Sequence, residues 1–318
     1  MPITLWSTRN DADRRARLTA RVAAAAVLGF GLWHVLRAVT HVRRAGLRSD
    51  WTAIRGYGGA TSLAVHARVS DDRVSSLPPL VLVHGYGIGS SYFVPLAARL
   101  RDHAHVYAPD LPGHGPSDHD VRPLTIRELG DALAAWMDAR GLGGAVLVGH
   151  SIGSQIVAEV AARRADLVSG LVLIAPASDP RARTVLRQVV RASRGAAYER
   201  PSLVVWAAID YTRAGPRVLT SELRQLVRYR VEDVLPHATV PVRVIRGAQD
   251  RLVPQAWAEE VARLVGAPPP TVIRRWGHAV HYDDPEAVAT VVLELAHQVA
   301  MAADQDDVTP SDWRRSTR

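Results

Sequence analysis

The chain has no cysteine and no lysine among its 318 residues. Without cysteine, disulfides, thiolate catalysis and cysteine-ligated metals are excluded. The compartment stays open, since a reduced cytosol and an exported disulfide-free state both fit. Without lysine, every basic residue is an arginine. No repeat of fixed period runs along the chain, which argues against a solenoid or a propeller. A full-length spanning run is also missing from the N-terminal region. Residues 22–36 give fifteen positions without a formal charge, whereas a spanning helix wants roughly 20 apolar residues. Three readings of that stretch compete: a short or surface membrane anchor helped by flanking arginines, a signal-like segment, or an extra helix packed on the main domain. The anchor is the reading adopted.

What is present is a 47% hydrophobic chain with a net charge of +8. That is enough apolar material for one large core, or a core with a small accessory unit. The charge is uneven. Residues 1–50 carry nine Arg and three Asp, and residues 181–230 carry eleven Arg and three acids. The remainder is net negative, which is unlike a uniformly basic nucleic-acid binder. Two local basic surfaces suit an anionic membrane face or an acidic substrate. Two solvated helical faces are the plainer alternative.

From residue 51 the pattern alternates between strands and helices. Strands are expected at 61–69, 80–83, 105–108, 145–148, 171–175, 242–246 and 271–275. Helices are expected at 90–100, 126–140, 152–163, 255–264 and 285–300. The strand runs are continuously apolar, as in parallel strands covered on both faces. The pattern predicts an α/β fold, a doubly wound, mostly parallel sheet. It breaks at residues 178–236, which read as an inserted helical cap. The resulting division is 1–50 (basic and apolar segment, with an N-terminal helix), 51–177 with 237–302 (core), 178–236 (cap) and 303–318 (polar, frayed tail).

Gly149-His150-Ser151-Ile152-Gly153 is a G-x-S-x-G motif. It follows an apolar strand and opens a helical pattern, the setting in which the motif means a nucleophile elbow. A serine on that strained turn projects clear of the sheet edge, beside free N–H groups at a helix N-terminus.

With this motif the chain resembles the α/β-hydrolase fold superfamily, in particular its cap-bearing esterase, lipase and lactonase-like branch. The resemblance covers about residues 55–300 and rests on VLVHGYG (81–87), APDLPGHGPSD (108–118), VGHSIGS (148–154), GAQDRLVP (247–254) and WGHAVHYDDPEAV (276–288). It implies Ser151 as nucleophile, Asp250 as the acid and His278 as the base, with Asp179 and His281 as the rivals. It implies oxyanion donors in the backbone N–H groups of Tyr86 and Ile152, and His84 as a structural loop residue. No cofactor and no metal are implied. A metal reading of Asp110, His114 and Asp118, or of His103 and His105, is weaker than a structural turn.

The resemblance implies a serine hydrolase that cleaves an acyl bond through an acyl-enzyme. A serine nucleophile argues against dehalogenase and epoxide hydrolase relatives. C–C bond hydrolases, acyltransferases, lactonases and thioesterases share the triad, and a non-catalytic ligand-binding relative can retain it. The expected partner is a small acyl substrate, with an anionic membrane surface a further candidate through residues 1–50 and the basic cap. Leu203, Val204, Val205, Trp206 and Ile209 are candidates for an acyl pocket or for packing of the cap on the core. Membrane-associated and cytoplasmic locations both stay open.

Overall fold

The computed structural model describes residues 46–56, 61–71 and 75–307. The anchor, signal and N-terminal-helix readings of residues 22–36 lie outside the described residues. Eight strands form one sheet in the order β1-β2-β4-β3-β5-β6-β7-β8. They are β1 (Leu47–Arg55), β2 (Ser62–Ser70), β3 (Leu80–Val83), β4 (Val106–Pro109), β5 (Ala145–His150), β6 (Val168–Ile174), β7 (Val242–Gly247) and β8 (Thr271–Ile273). β1–β2 and β2–β4 pair antiparallel, and every other pair is parallel. All side chains of β3 and β5 are buried, which matches their unbroken apolar sequence. Each fully buried Leu or Val side chain contributes about 1.5–3 kcal/mol.

Helix α1 (Val94–Leu100) links β3 to β4, α2 (Ile126–Ala139) links β4 to β5, and α3 (Ile152–Arg163) links β5 to β6. α2 packs on α3, while α1 packs on the C-terminal helix α9 (Pro285–Asp307), so the sheet is covered on both faces. α2 starts where its sequence says it should. Thr125 caps the Glu128 N–H, and the Glu128 side chain returns to the Thr125 N–H, a reciprocal capping box. Between β6 and β7 the chain leaves the sheet for α4 (Val185–Gly195), α5 (Pro201–Arg228) and α6 (Val231–Val234). α5 breaks at Gly215, whose φ of 73° precedes Pro216. The remaining helices are α7 (Gln255–Leu264) and the short α8 (Val280–Asp283).

Departures from the expected elements have local causes. β1 was not anticipated and takes in residues 47–50; most of its side chains are exposed or half-buried, so it carries no apolar run. The helix expected at 90–100 opens as a 3-10 turn, Ser90–Phe93, before Pro95 sets the α-helix. β8 stops at Ile273 because Arg275 turns the chain with φ 75°. α9 continues to Asp307, into the segment expected to be a frayed tail.

Candidate active site

Ser151 stands between β5 and α3, Asp250 follows β7, and His278 follows β8. All three therefore reach the C-terminal edge of the parallel strands. Ser151 has φ 55° and ψ −118°, outside the regions that side chains ordinarily adopt. Such a residue costs about 1–3 kcal/mol and persists only where its surroundings enforce it. Here its N–H donates to Ile174 O at 2.9 Å, and its carbonyl accepts the Ser154 N–H at 3.1 Å. Gly153 allows the turn to sit against β3, since a Cβ there would run into the carbonyls of Val83 and His84.

Asp250 serves two structures at once. Its Oδ1 accepts the N–H groups of Leu252 (2.8 Å) and Val253 (3.0 Å), closing the turn before α7. Its Oδ2 takes Nδ1–H of His278 at 2.9 Å. Burial opposes a charge on the His278 ring. The Asp250 charge and hydrogen bond, helped by Glu199, outweigh it and raise the pKa above the usual histidine value. The two rivals lie elsewhere. Asp179 caps the turn at Arg181 and pairs with Arg181 and Arg191. His281 is fully buried between Tyr92, Phe93 and His150, with no hydrogen-bond partner on either ring nitrogen among the described residues. Burial holds its pKa well below the ordinary range.

The Ser151 hydroxyl makes no hydrogen bond to His278 within the described residues; Ser151 is buried, and the ring of its neighbour His150 lies 4.8 Å, centroid to centroid, from that of His278. The N–H groups of Tyr86 and Ile152 likewise have no acceptor among the described residues. Gly85 brings the Tyr86 loop against the elbow: a Cβ on it would stand 3.1 Å from the Ser151 Cβ.

A hydrogen-bonded chain crosses behind these groups. The Gly85 N–H donates to Tyr92 Oη at 2.8 Å, and Tyr92 Oη meets His150 Nδ1 at 2.9 Å. His150 Nε2 meets the carbonyl of His278 at 3.1 Å. Only one proton assignment satisfies all three. The carbonyl can only accept, so His150 carries its proton on Nε2 and accepts the tyrosine proton on Nδ1. Burial keeps His150 neutral, well below the ordinary histidine range. The loop of Tyr86 and the loop of His278 are thereby held in one frame.

A family model described as the alpha/beta hydrolase family matches residues 80–291. The chain belongs to that family. Among similar proteins is a pimeloyl-[acyl-carrier protein] methyl ester esterase of Vibrio vulnificus (strain YJ016), 26% identical over 69% of this chain and 94% of its own length. The esterase of the same name from Stenotrophomonas maltophilia (strain R551-3) is 30% identical over 70% of this chain and 93% of its own. A solved structure of a bacterial membrane phospholipase A superposes with a TM-score of 0.66 at 22% identity, covering 91% of this chain and 99% of that one. That likeness is one of fold.

This α/β-hydrolase carries site residues that its motifs do not announce. Residues 181–230 hold three acids, and all three turn onto loops of the site. Glu199 meets the His278 loop. Asp210 accepts the Gly89 N–H at 3.0 Å. Glu222 accepts the Gly87 N–H at 2.8 Å and meets His114 Nε2 at 2.8 Å. Their one sequence signal is scarcity, three carboxylates amid eleven arginines. Truncating Glu222 to alanine leaves Gly87 and His114 without their buried partner. That variant is expected to lose about 3 kcal/mol of folding stability, read as a lower urea midpoint.

The polar side chains of the hydrolase's DLPGHGPSD loop are bonded into a turn. Asp110 accepts from Ser90 N and Ser90 Oγ (2.9 Å) and meets His66 Nδ1 at 2.6 Å. Asp118 accepts the Ala64 N–H, and His84 Nε2 accepts the Leu111 N–H at 3.0 Å. In the inserted helices Leu203 is buried and Val205, Trp206 and Ile209 are half-buried, but Val204 is 54% exposed. Six of the eleven arginines at 181–230 pair with acids: Arg181, Arg183, Arg191, Arg200, Arg213 and Arg230. The free positive surface is therefore smaller than the count of arginines suggests. A cavity of about 1130 Å³ opens between the 118–123 loop and the break in α5, and it is lined by neither Ser151, Asp250 nor His278. Hydrogen bonding and backbone geometry, rather than cavity size, locate the candidate chemistry.

Proposed function

We propose that this hydrolase cleaves carboxylic esters through an acyl-enzyme on Ser151. The observation that carries the reading is the 2.9 Å contact of Asp250 Oδ2 with His278 Nδ1, beside a serine held at φ 55°. Asp250 keeps the ring proton on Nδ1, so Nε2 is free to accept the hydroxyl proton of Ser151. The Ser151 oxygen then bonds to the ester carbonyl carbon. The oxygen that becomes negative is met by the N–H groups of Tyr86 and Ile152, each such donor being worth about 3 kcal/mol in the transition state. Nε2–H returns its proton to the departing alkoxide, and water repeats the steps to release the acid. A nucleophile–base contact is often long without substrate and tightens in the complex, which accommodates the unbonded hydroxyl. In this reading residues 178–236 form the cap over the core and limit which acyl group enters. The relatives named for methyl ester hydrolysis support an oxygen ester over a C–C bond.

A fluorophosphonate probe tests the nucleophile. Stoichiometric labelling that maps to Ser151, together with multiple turnovers of p-nitrophenyl butyrate, is expected. A chain that labels without turning over is a binding protein that has kept a reactive serine. No labelling at Ser151 removes the reading altogether.

A further inference from the structure

Glu199 lies between the 3-10 turn Ala196–Tyr198 and α5. Its two carboxylate oxygens accept successive N–H groups of the His278 loop, from His278 at 2.5 Å and from Ala279 at 3.2 Å. The next residue grips the same loop twice. Arg200 donates to the Asp283 carbonyl at 2.8 Å, and its guanidinium lies 5.0 Å over the Trp276 ring. One dipeptide of the insertion thus ties both ends of residues 276–283. Gly277 makes the approach possible, because a Cβ there would collide with the Glu199 carboxylate and stand 3.2 Å from the Tyr198 Cβ.

We infer that Glu199 is a positioning residue through which the helical insertion sets the aim of His278. The inference rests on the reading of His278 as the base. An imidazole placed about 1 Å off its line of attack can lose 100-fold in rate, so two anchors on the backbone that carries the ring bear on kcat rather than on binding. The insertion and the base then move together: whatever lifts the 199–200 segment loosens the His278 loop.

Behind Glu199 sits Asp283, whose buried carboxyl oxygens have no hydrogen-bond partner among the described residues and an ion pair to Arg200 Nε at 3.5 Å. Its pKa is pushed up to about 8 by burial and by the negative charge of Glu199, against the attraction of Arg200. Near neutrality the buried Asp283 carboxyl therefore favours its protonated form. Above about pH 8 that proton is lost, and two carboxylates confront one another beneath the loop. The other charged groups in contact with the loop are Arg200 and the His278–Asp250 pair.

Glu199→Ala removes both anchors, and kcat on p-nitrophenyl butyrate is expected to fall about 10- to 100-fold with KM changed by no more than about twofold. Glu199→Gln restores part of that loss, since its carbonyl still serves the His278 N–H while its NH2 forfeits the Ala279 anchor. Burial still raises Asp283 in that variant, but its ionisation no longer sets two carboxylates against each other. The decline in kcat expected of the unsubstituted chain through about pH 8 is therefore expected to weaken and move in Glu199→Gln. Amide hydrogen exchange at His278 and Ala279 reads the anchors without any turnover, and faster exchange in Glu199→Ala is expected. Undiminished kcat in Glu199→Ala, an unmoved alkaline limb in Glu199→Gln, or unchanged exchange each overturns the inference. A chain that hydrolyses no ester defeats the esterase reading alone, because exchange still decides the clamp.

Discussion

Replacing Ser151 with alanine is expected to lower kcat on p-nitrophenyl butyrate by about 10⁶-fold, leaving only the weak catalysis that oxyanion donors and binding give unaided. The size of the effect follows from the role. In the proposed mechanism Asp250 and His278 serve to activate one hydroxyl, and no other group takes its place at the elbow. The fold is expected to survive. The Ser151 side chain makes no hydrogen bond among the described residues, so its removal orphans no partner. The backbone bonds to Ile174 and Ser154 remain, and alanine meets the same cost at φ 55° that serine does. The thermal midpoint should therefore stay within a few degrees of the parent's. Activity within tenfold of the parent would end the case for a serine nucleophile.

Asp250→Asn should cost about 10⁴-fold in kcat. Asparagine keeps an oxygen for the N–H groups of Leu252 and Val253, so the turn before α7 stays closed. Its NH2 then faces His278 Nδ1 and asks that nitrogen to accept. The ring proton moves to Nε2, the atom that must take the serine proton, and the base is disabled by tautomer rather than by displacement. The pH profile carries a second signature. His278 holds its proton to a higher pH than an ordinary histidine because the Asp250 charge and hydrogen bond override the effect of burial. In the parent, kcat/KM should thus fall as pH drops through a value above the ordinary histidine pKa, the neutral base being lost there. In Asp250→Asn the residual activity should fall at lower pH, since burial then acts without the opposing charge. A variant with both its rate and its acid limb unchanged would show that the acid is another residue.

The sheet and the core constellation were legible because each carries a local signal. β3 and β5 read as buried strands from uninterrupted apolar runs, and the elbow reads from two glycines flanking a serine. Asp250 and His278 were legible through the short motifs around them and their order along the chain. β1 was hidden because an exposed edge strand need not be apolar. Glu199, Asp210 and Glu222 were hidden for a different reason. Each serves loops at least 79 residues away in sequence, and no period or spacing within a helical segment encodes such a contact. His150 was visible inside the G-x-S-x-G motif, yet its place in the Tyr92–His278 frame depends on partners 58 and 128 residues off.

β8 lies at the far edge of the sheet and pairs with β7 alone, over three residues, Thr271, Val272 and Ile273. During synthesis the elbow is complete more than a hundred residues before that strand emerges. Under the proposed mechanism, hydrolytic competence then arrives only when the final strand docks and carries the imidazole into place.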